Sequence, residues 1–176
     1  HTRLRMSRGL GDVYKADLLL IINPTIIFTA YCIATHNITI GLIEVFSFLL
    51  IRKYCGGYHC QSSTACLIFS VIILIVMAWL SSFIKPSLYM FIALVIADVE
   101  LIIKGPVISV NHSVSDSEKK YYHRCLVGIL AVFNIIIIAA TVLHLYRTAS
   151  CISIVIIFCF VSHIACMTEK NRKLYY

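Results

Sequence analysis

The 176 residues of the chain are 60% hydrophobic and 13% charged, and the formal net charge is +7. Soluble proteins average about half apolar and a quarter charged residues, so this composition excludes an ordinary water-soluble domain. The apolar runs are also too long and too continuous for the alternating strands of an outer-membrane barrel. The predicted fold is therefore an all-α, polytopic membrane protein.

Six apolar runs have about the length needed to cross ~30 Å of hydrocarbon. The second is the shortest and contains Glu44. Pro24 is expected to kink the first, and Lys85 and Pro86 indicate a tight turn between the third and fourth. We predict one integral-membrane domain, 1–176, with spans at 18–35, 38–52, 67–84, 87–103, 126–146 and 149–167.

The N-terminal segment, 1–17, mixes basic and apolar residues, which is typical of a short interfacial helix or of a solvated tail. Because the first residue is not Met, we expect the natural chain to begin further upstream. No A-x-A-like cleavage site follows the first apolar run, so a retained span is favoured over a signal peptide. Residues 168–176 are expected to form a cytoplasmic tail.

The distribution of basic residues predicts the orientation of the chain. With six spans and a cytoplasmic N-terminus, thirteen Lys and Arg residues lie in inner segments and only Lys85 and Arg147 in outer turns. This bias agrees with the positive-inside rule and places both termini in the cytoplasm. Topology and attraction to anionic lipids account for most of the positive charge. Nucleic acid is not expected as a partner, because the basic residues are dispersed over several loops.

The eight cysteines are scattered through spans and inner loops, so we expect free thiols and no disulfide framework. Half of them are most simply small apolar residues that pack between helices: Cys32, Cys151, Cys159 and Cys166. The others remain available for chemistry: Cys55, Cys60, Cys66 and Cys125.

The stretch CGGYHCQSSTAC, 55–66, joins the second and third spans at the predicted cytoplasmic face. An imidazole can take the proton of a nearby thiol and later donate it to a leaving amine, so His59 and Cys66 are a candidate nucleophilic pair. On one straight helix their Cα atoms would lie about 10.5 Å apart along the axis, and His59 would lean away from Cys66. Contact between them requires a bend within 59–66.

The residues around the pair favour such a bend. Two glycines precede His59 and free the backbone, and the polar run 61–64 supplies capping residues for a new helix. With Ser63 or Thr64 as the cap, Cys66 lies in the first helical turn, where the helix dipole favours a thiolate.

Three interpretations of this stretch remain open from the residues alone. The first is nucleophilic catalysis by His59 and Cys66. The second is tetrahedral zinc bound by this pair with Cys55 and Cys60, although the spacing differs from paired C-x-x-C knuckles and ligation by adjacent residues is awkward. The third is purely structural, with the glycines closing a hairpin. A non-catalytic membrane carrier or metal-binding sensor is therefore the alternative function.

The other long polar segment, 104–125, is predicted to be a cytoplasmic connector. It carries a basic cluster of Lys119, Lys120 and Arg124. One interpretation is a solvated linker that enforces topology. The other is a docking surface for an acidic peptide, because clustered cations raise the local concentration of an anionic partner.

Carboxylates within the spans are costly to bury and need partners or a function. Glu44, Asp98 and Glu100 are candidates to orient His59, but pairing with a basic residue is favoured for each. The basic residues available are Arg52, Lys53 and Lys104. An oxyanion hole is expected from Gln61 or from the backbone amides at 65 and 66.

Several residues outside the motif are expected to have packing roles. Packed or interfacial histidines, and not ligands, are predicted at His36, His112, His123, His144 and His163. Tyr121 and Tyr122 are expected to be interfacial anchors. Small residues permit close helix packing, within or between chains, at Gly128, Ala131, Ala139 and Ala140.

The string RKYCGGYHCQSSTAC, 52–66, resembles the signature of the accessory gene regulator B (AgrB) family. These are membrane cysteine endopeptidases of Gram-positive bacteria that mature a quorum-sensing propeptide. The family pattern is an arginine with a second basic residue, a glycine two before the catalytic histidine, and the catalytic cysteine seven after that histidine. Its places are taken by Arg52, Lys53, Gly57, His59 and Cys66. The basic start, the spans and the lysine cluster extend the resemblance over most of the chain, whereas Cys55 and Cys60 depart from it.

The resemblance implies a cell-membrane thiol protease that needs no cofactor and forms a homodimer. His59 would deprotonate Cys66, which would attack a peptide bond near the C-terminus of a small amphipathic propeptide with an acidic tail. A Cys or Ser of the same peptide would then capture the acyl-thioester to give a thiolactone or lactone. Supporting or substrate-positioning roles are expected for Arg52, Lys53, Gly57 and Gln61.

Overall fold

The computed structural model describes the backbone of residues 25–55, 63–106 and 116–174, and the side chains of 25–55, 68–106 and 117–168. The described residues form six helices and no strand, so the all-α prediction is confirmed for them. The helices are α1 (Thr25–Ala34), α2 (Ile38–Cys55), α3 (Ser63–Phe83), α4 (Leu88–Lys104), α5 (Asp116–Val142) and α6 (Tyr146–Leu174). The expected interfacial segment 1–17 and the kink at Pro24 lie outside the described residues.

Two stretches of the described chain are long and apolar enough to cross a membrane, Ser117–Val142 in α5 and Tyr146–Thr168 in α6. Large apolar side chains are exposed along all six helices, and Phe46, Leu88 and Ile103 are 63%, 72% and 75% exposed. Contiguous apolar surface of this kind is unfavourable in water and marks a face that contacts lipid or another protein. The six-span topology and its orientation remain predictions.

Helix α6 lies at the centre of the bundle. It packs against α2, α3, α4 and α5, while α2 also contacts α3 and α5, and α4 contacts α5. Val155 and Ile156 of α6 are fully buried and share one apolar core with Ile51, Leu101 and Leu130 of the surrounding helices. Among helices in lipid, close packing of such side chains supplies most of the stabilisation, because lipid tails are as apolar as the core.

Three short connections close one end of the bundle, which we call the turn end: 35–37, 84–87 and 143–145. Ser87 begins α4 as its N-cap, since its side chain accepts a hydrogen bond from the Met90 N–H at 3.3 Å. The turn predicted at Lys85 and Pro86 is thereby confirmed. Arg147 at the start of α6 donates to Ser82 Oγ near the end of α3 at 2.9 Å, which joins two of the helix ends here.

The first and third turns have the same backbone geometry. His36 and His144 adopt φ angles of +54° and +60°, in the left-handed region. The residue after each histidine donates its N–H five residues back, Asn37 to Cys32 O at 2.9 Å and Leu145 to Ala140 O at 2.8 Å. This is a Schellman motif with histidine at the position that glycine most often occupies.

The helix boundaries differ from the predicted segments at three places. The predicted span 126–146 includes the turn 143–145, because hydropathy does not register a left-handed residue between apolar neighbours. The predicted linker 104–125 is helical from Asp116, since acidic residues favour the first turn of a helix. The predicted tail, 168–176, continues α6 as far as Leu174, because it contains good helix formers.

Close approach of α1 and α2 depends on Gly41. A Cβ atom at this position would overlap Cys32 Sγ and come within 3.5 Å of the Phe28 ring. Gly128 on α5 differs, because among the described atoms a Cβ there would have no neighbour within 4 Å. Gly41 is therefore required for packing, whereas Gly128 and the exposed Ala131 lie on an outward face. Ala140 is buried and packs within the chain.

The described cysteines are all free thiols, as predicted: Cys32, Cys55, Cys125, Cys151, Cys159 and Cys166. Cys32, Cys151 and Cys159 are buried, which confirms their packing role, and Cys166 is half-buried. The side chains of Cys60 and Cys66 lie outside the described residues.

Candidate active site

The end of the bundle opposite the turns carries the candidate functional residues, and we call it the motif end. It contains the last turns of α2 and α4, the first turns of α3 and α5, and the second half of α6. The motif 52–66 begins on α2 and finishes on α3. Its two parts are therefore carried by successive antiparallel helices.

The predicted site residues fall partly within the described chain. Arg52 and Lys53 occupy the last turn of α2. The backbone of Cys66 lies in the first turn of α3, which agrees with the expected helix start. Gly57, His59 and Gln61 lie outside the described residues, as do Cys60 and the side chain of Cys66. The bend between His59 and Cys66 therefore stays a prediction.

Two cationic side chains lie close to aromatic rings at the end of α2. The guanidinium carbon of Arg52 lies 5.4 Å from the centre of the Phe48 ring, and Lys53 Nζ lies 5.3 Å from that of Tyr54. Positive charge in the last turn is also favoured by the helix dipole. The two cations at the start of the motif are thus positioned by contacts within α2 itself.

Helix α5 contacts the end of α2 through tyrosines. The rings of Tyr54 and Tyr122 lie 5.9 Å apart, and Tyr121 lies edge-on to Tyr122 at 6.0 Å. Tyr121 is 61% exposed, as expected of an interfacial anchor, whereas Tyr122 is half-buried in the contact between helices. Sequence reasoning missed this contact, because no local pattern pairs residues on helices so far apart in the chain.

Cys55 is the one cysteine of the motif whose side chain is described. It is fully buried at the end of α2, beyond the predicted span 38–52. Burial, with a smaller contribution from the nearby Cys166, raises the pKa of the Cys55 thiol to about 12 against the opposing effect of Arg52. The thiol is therefore protonated at neutral pH and is a poor nucleophile and a poor zinc ligand. Among the described side chains, no group of three His, Cys, Asp or Glu residues is placed to hold a metal ion.

The surroundings of the three carboxylates that are candidates to orient His59 are described, whereas His59 itself lies outside the described residues. Glu44 is fully buried, and neither oxygen has a hydrogen-bond partner in the described part of the chain, so the pairing expected for it is wrong. It lies eleven residues before Cys55 in the same helix, about 16 Å along the axis. Asp98 accepts a hydrogen bond from Asn134 Nδ2 at 2.8 Å, so its expected basic partner is also wrong. Glu100 pairs with Lys104 at 2.7 Å, as predicted.

Two histidines cap the end of α4. The last carbonyl groups of a helix accept no hydrogen bond within the helix, so they need donors from elsewhere. His163 of α6 is buried and its Nε2 donates to Gly105 O at 2.9 Å, while His123 of α5 donates to Ile102 O at 2.8 Å. Gly105 itself has φ +65°, which favours glycine. The packing role predicted for these two histidines is confirmed, and His112 lies outside the described residues.

A cavity of about 350 Å³ opens between the ends of α4 and α5. Its side chains include the predicted basic cluster and one further lysine from α4. They are Lys104, Lys119, Lys120, His123 and Arg124, with Ile103, Gly105 and Pro106. The cluster is therefore presented by helices on the wall of a cavity, and not by an extended linker. We call this feature the basic cavity.

The model of a family described as Accessory gene regulator B matches residues 16–168, which include the entire motif 52–66 and five of the helices completely. No curated protein and no solved structure matches the chain.

Proposed function

Because the chain belongs to the accessory gene regulator B family, which is associated with quorum-sensing propeptide processing, we propose that it is a membrane-embedded cysteine endopeptidase. It removes the C-terminal tail of a small propeptide through an acyl-thioester on Cys66 and promotes cyclisation of the remainder. The observation that carries the proposal is the family match across the complete His59 and Cys66 motif.

The proposed reaction begins when the His59 imidazole takes the Cys66 thiol proton. The thiolate attacks a peptide carbonyl carbon of the propeptide, and the tetrahedral intermediate collapses as His59 returns the proton to the leaving amine. The acidic tail departs and an acyl-thioester remains. A thiol or hydroxyl of the same peptide then attacks the thioester, forms a thiolactone or lactone and releases Cys66 as a thiol.

The described residues support Cys66 over Cys55 as the nucleophile. Cys55 is buried and protonated, whereas Cys66 is on the first turn of α3. The N–H groups before the first i→i−4 bond of a helix have no acceptor within it, so in α3, which begins at Ser63, the amide at 65 is available to an oxyanion. The helix dipole adds to this effect by favouring negative charge on the cysteine.

Substrate positioning is assigned to Arg52 and Lys53, with Gly57 and Gln61 in the segment that follows. The two cations are held at the end of α2 by their aromatic contacts, close to the start of the motif. They suit a propeptide with an acidic tail. We further propose that the chain is multi-pass in the cell membrane of a Gram-positive-type bacterium, with this site at the cytoplasmic face.

A homodimer is part of the same proposal. Gly128 and Ala131 lie on an outward face of α5, with open space around Gly128 among the described residues. Small residues at such a face allow two helices in lipid to approach closely. Crosslinking of the full chain in membranes, with Gly128→Leu as the disrupting variant, tests this part.

The enzyme proposal is tested by co-expression with the product of a small adjacent open reading frame and mass spectrometry of the peptide. The wild type should yield a peptide without its tail, lighter by one water than the corresponding linear fragment. A trapped acyl adduct should map to Cys66. Cys66→Ala and His59→Gln should lose the product, whereas Cys125→Ala should retain it. Normal membrane insertion of all variants excludes misfolding as the cause.

The alternative, a carrier or metal sensor, makes a different prediction in the same preparation. Elemental analysis of the purified wild type would then find zinc, which Cys66→Ala would lose, and no cleaved peptide would form. Unchanged peptide processing by Cys66→Ala would contradict the proposed nucleophile directly.

A further inference from the structure

The basic cavity contains positive charge that the described residues do not neutralise. Lys104 is paired with Glu100, but among the described side chains no ion pair involves Lys119, Lys120 or Arg124. These three side chains are exposed along one side of α5. The volume of about 350 Å³ lies within the range of small-ligand sites, roughly 300–1,000 Å³. The cavity therefore suits a compact anionic group.

An apolar stripe on α4 leads to this cavity. Its members recur every three or four residues and are each about half exposed or more: Leu88, Ile92, Val95, Ile96, Val99 and Ile103. Met90, Leu94, Ala97 and Leu101 are buried on the other side of α4, so the stripe faces away from the bundle. From Leu88 to Ile103 it extends about 22 Å, more than the ~15 Å of hydrocarbon in one leaflet. Ile103 belongs to both the stripe and the cavity wall.

The cavity lies beside α4, whereas the motif begins at the end of α2. Tyr122 faces the end of α2, where it meets Tyr54, whereas Lys119, Lys120 and Arg124 face the end of α4. A lipid beside α4 would reach the cavity directly, with its acyl chains on the stripe and its headgroup among the cations.

We propose that the basic cavity binds the headgroup of an anionic glycerophospholipid whose acyl chains lie along the apolar stripe of α4. Basic pockets at the cytoplasmic side of membrane helices have the chemistry to recognise such headgroups. The proposal requires the bundle to lie in a membrane. It does not depend on peptidase activity.

The test uses the full chain in nanodiscs containing equal amounts of phosphatidylglycerol and phosphatidylcholine with identical acyl chains. Native mass spectrometry of the released protein counts the lipids that remain bound. Wild type should retain phosphatidylglycerol over phosphatidylcholine by at least about tenfold, given the contributions of several cations. Lys119→Gln/Lys120→Gln/Arg124→Gln should lose this preference. The matched control, Lys170→Gln/Arg172→Gln/Lys173→Gln, removes the same charge from the end of α6 and should keep it.

Three results would overturn the proposal. Equal retention of the two lipids by wild type would show that the cavity does not select an anionic headgroup, and this arm needs no folded variant. Equal loss in both triple variants would show a general charge effect. The third result concerns a hexaglutamate peptide. If it displaces phosphatidylglycerol from wild type, and binds the α6 variant but not the cavity variant, the cavity is an acidic-peptide site instead. Circular dichroism of each variant verifies that helical content is unchanged.

Discussion

The backbone groups at the two ends of the bundle are satisfied by different kinds of hydrogen bond. At the turn end, 35–37 and 143–145 satisfy their backbone groups with N–H and carbonyl groups no more than five residues away, and Ser87 caps the helix that it precedes. At the motif end, the last carbonyls of α4 accept hydrogen bonds from His123 and His163, which are 21 and 58 residues from their partners.

This difference indicates how each end responds to substitution. Local turns form whenever their own few residues adopt the right backbone conformation. The end of α4, by contrast, is completed only when α5 and α6 have docked against it. The motif end is therefore more sensitive to the packing of distant helices, and the basic cavity and the start of α5 share that sensitivity.

The largest effect is expected from His163→Leu at the motif end. The substitution leaves Gly105 O without its buried donor, and an unsatisfied buried group costs about 1–3 kcal/mol. We expect the unfolding free energy, measured in detergent micelles, to fall by an amount near the upper limit of this range. His123→Leu is the comparison, because its bond to Ile102 O is exposed and water can replace the donor. Equal losses in the two variants would contradict the importance of burial.

A second test concerns the turn end, where α1 and α2 approach closely. Gly41→Ala places a methyl group against Cys32 and should lower the unfolding free energy by about 2 kcal/mol through overpacking. Gly128→Ala is the comparison, because within one chain a Cβ atom there meets no described atom, and it should stabilise the monomer by up to about 1 kcal/mol. Thermal unfolding of both variants in the same micelles distinguishes them. A neutral Gly41→Ala would mean that α1 moves freely relative to α2.

A smaller effect is expected from Glu44→Leu, which lies nearer the turn end. The carboxyl group is buried, and its oxygens have no hydrogen-bond partner in the part of the chain that the structure describes. Replacing it with an apolar side chain of similar size should therefore raise the unfolding free energy by about 1 kcal/mol. Peptide processing should be unchanged, because Glu44 lies about 12 Å along α2 from Arg52, where the motif begins. A loss of processing without a loss of stability would assign Glu44 a function instead.

The smallest expected effect is at the first Schellman turn. His36 has a left-handed φ of +54°, which glycine adopts without steric cost. We expect His36→Gly to stabilise by about 0.5 kcal/mol, and His36→Val to destabilise, in equilibrium unfolding. Destabilisation by His36→Gly would show that the imidazole contributes a contact that outweighs the backbone strain.

Much of the helical organisation was predictable from local patterns. The apolar runs predicted α2 and α4 to within a few residues, and Lys85 with Pro86 marked the turn before α4. The turn at His144 was not predictable from hydropathy, because its neighbours Leu143 and Leu145 are apolar. The start of α5 was missed for the opposite reason, since its first turns are polar although helical.

The candidate site was less accessible to sequence reasoning. The positions of Arg52 and Lys53 at the end of α2 follow from the charge pattern, and the pairing of Glu100 with Lys104 follows from their spacing. The contact of Tyr54 with Tyr122 and the histidine caps of α4 depend on tertiary packing, which no local pattern encodes. The relation of His59 to Cys66 remains a prediction from the motif.

The central position of α6 bears on how the bundle assembles during synthesis. Four other helices pack against it, yet it is the last of the six to leave the ribosome. Until it arrives, the preceding helices have inner faces without their main partner, and Gly105 O lacks its donor from His163. Completion of the core, and with it the ordered end of α4, is therefore a late event in biogenesis.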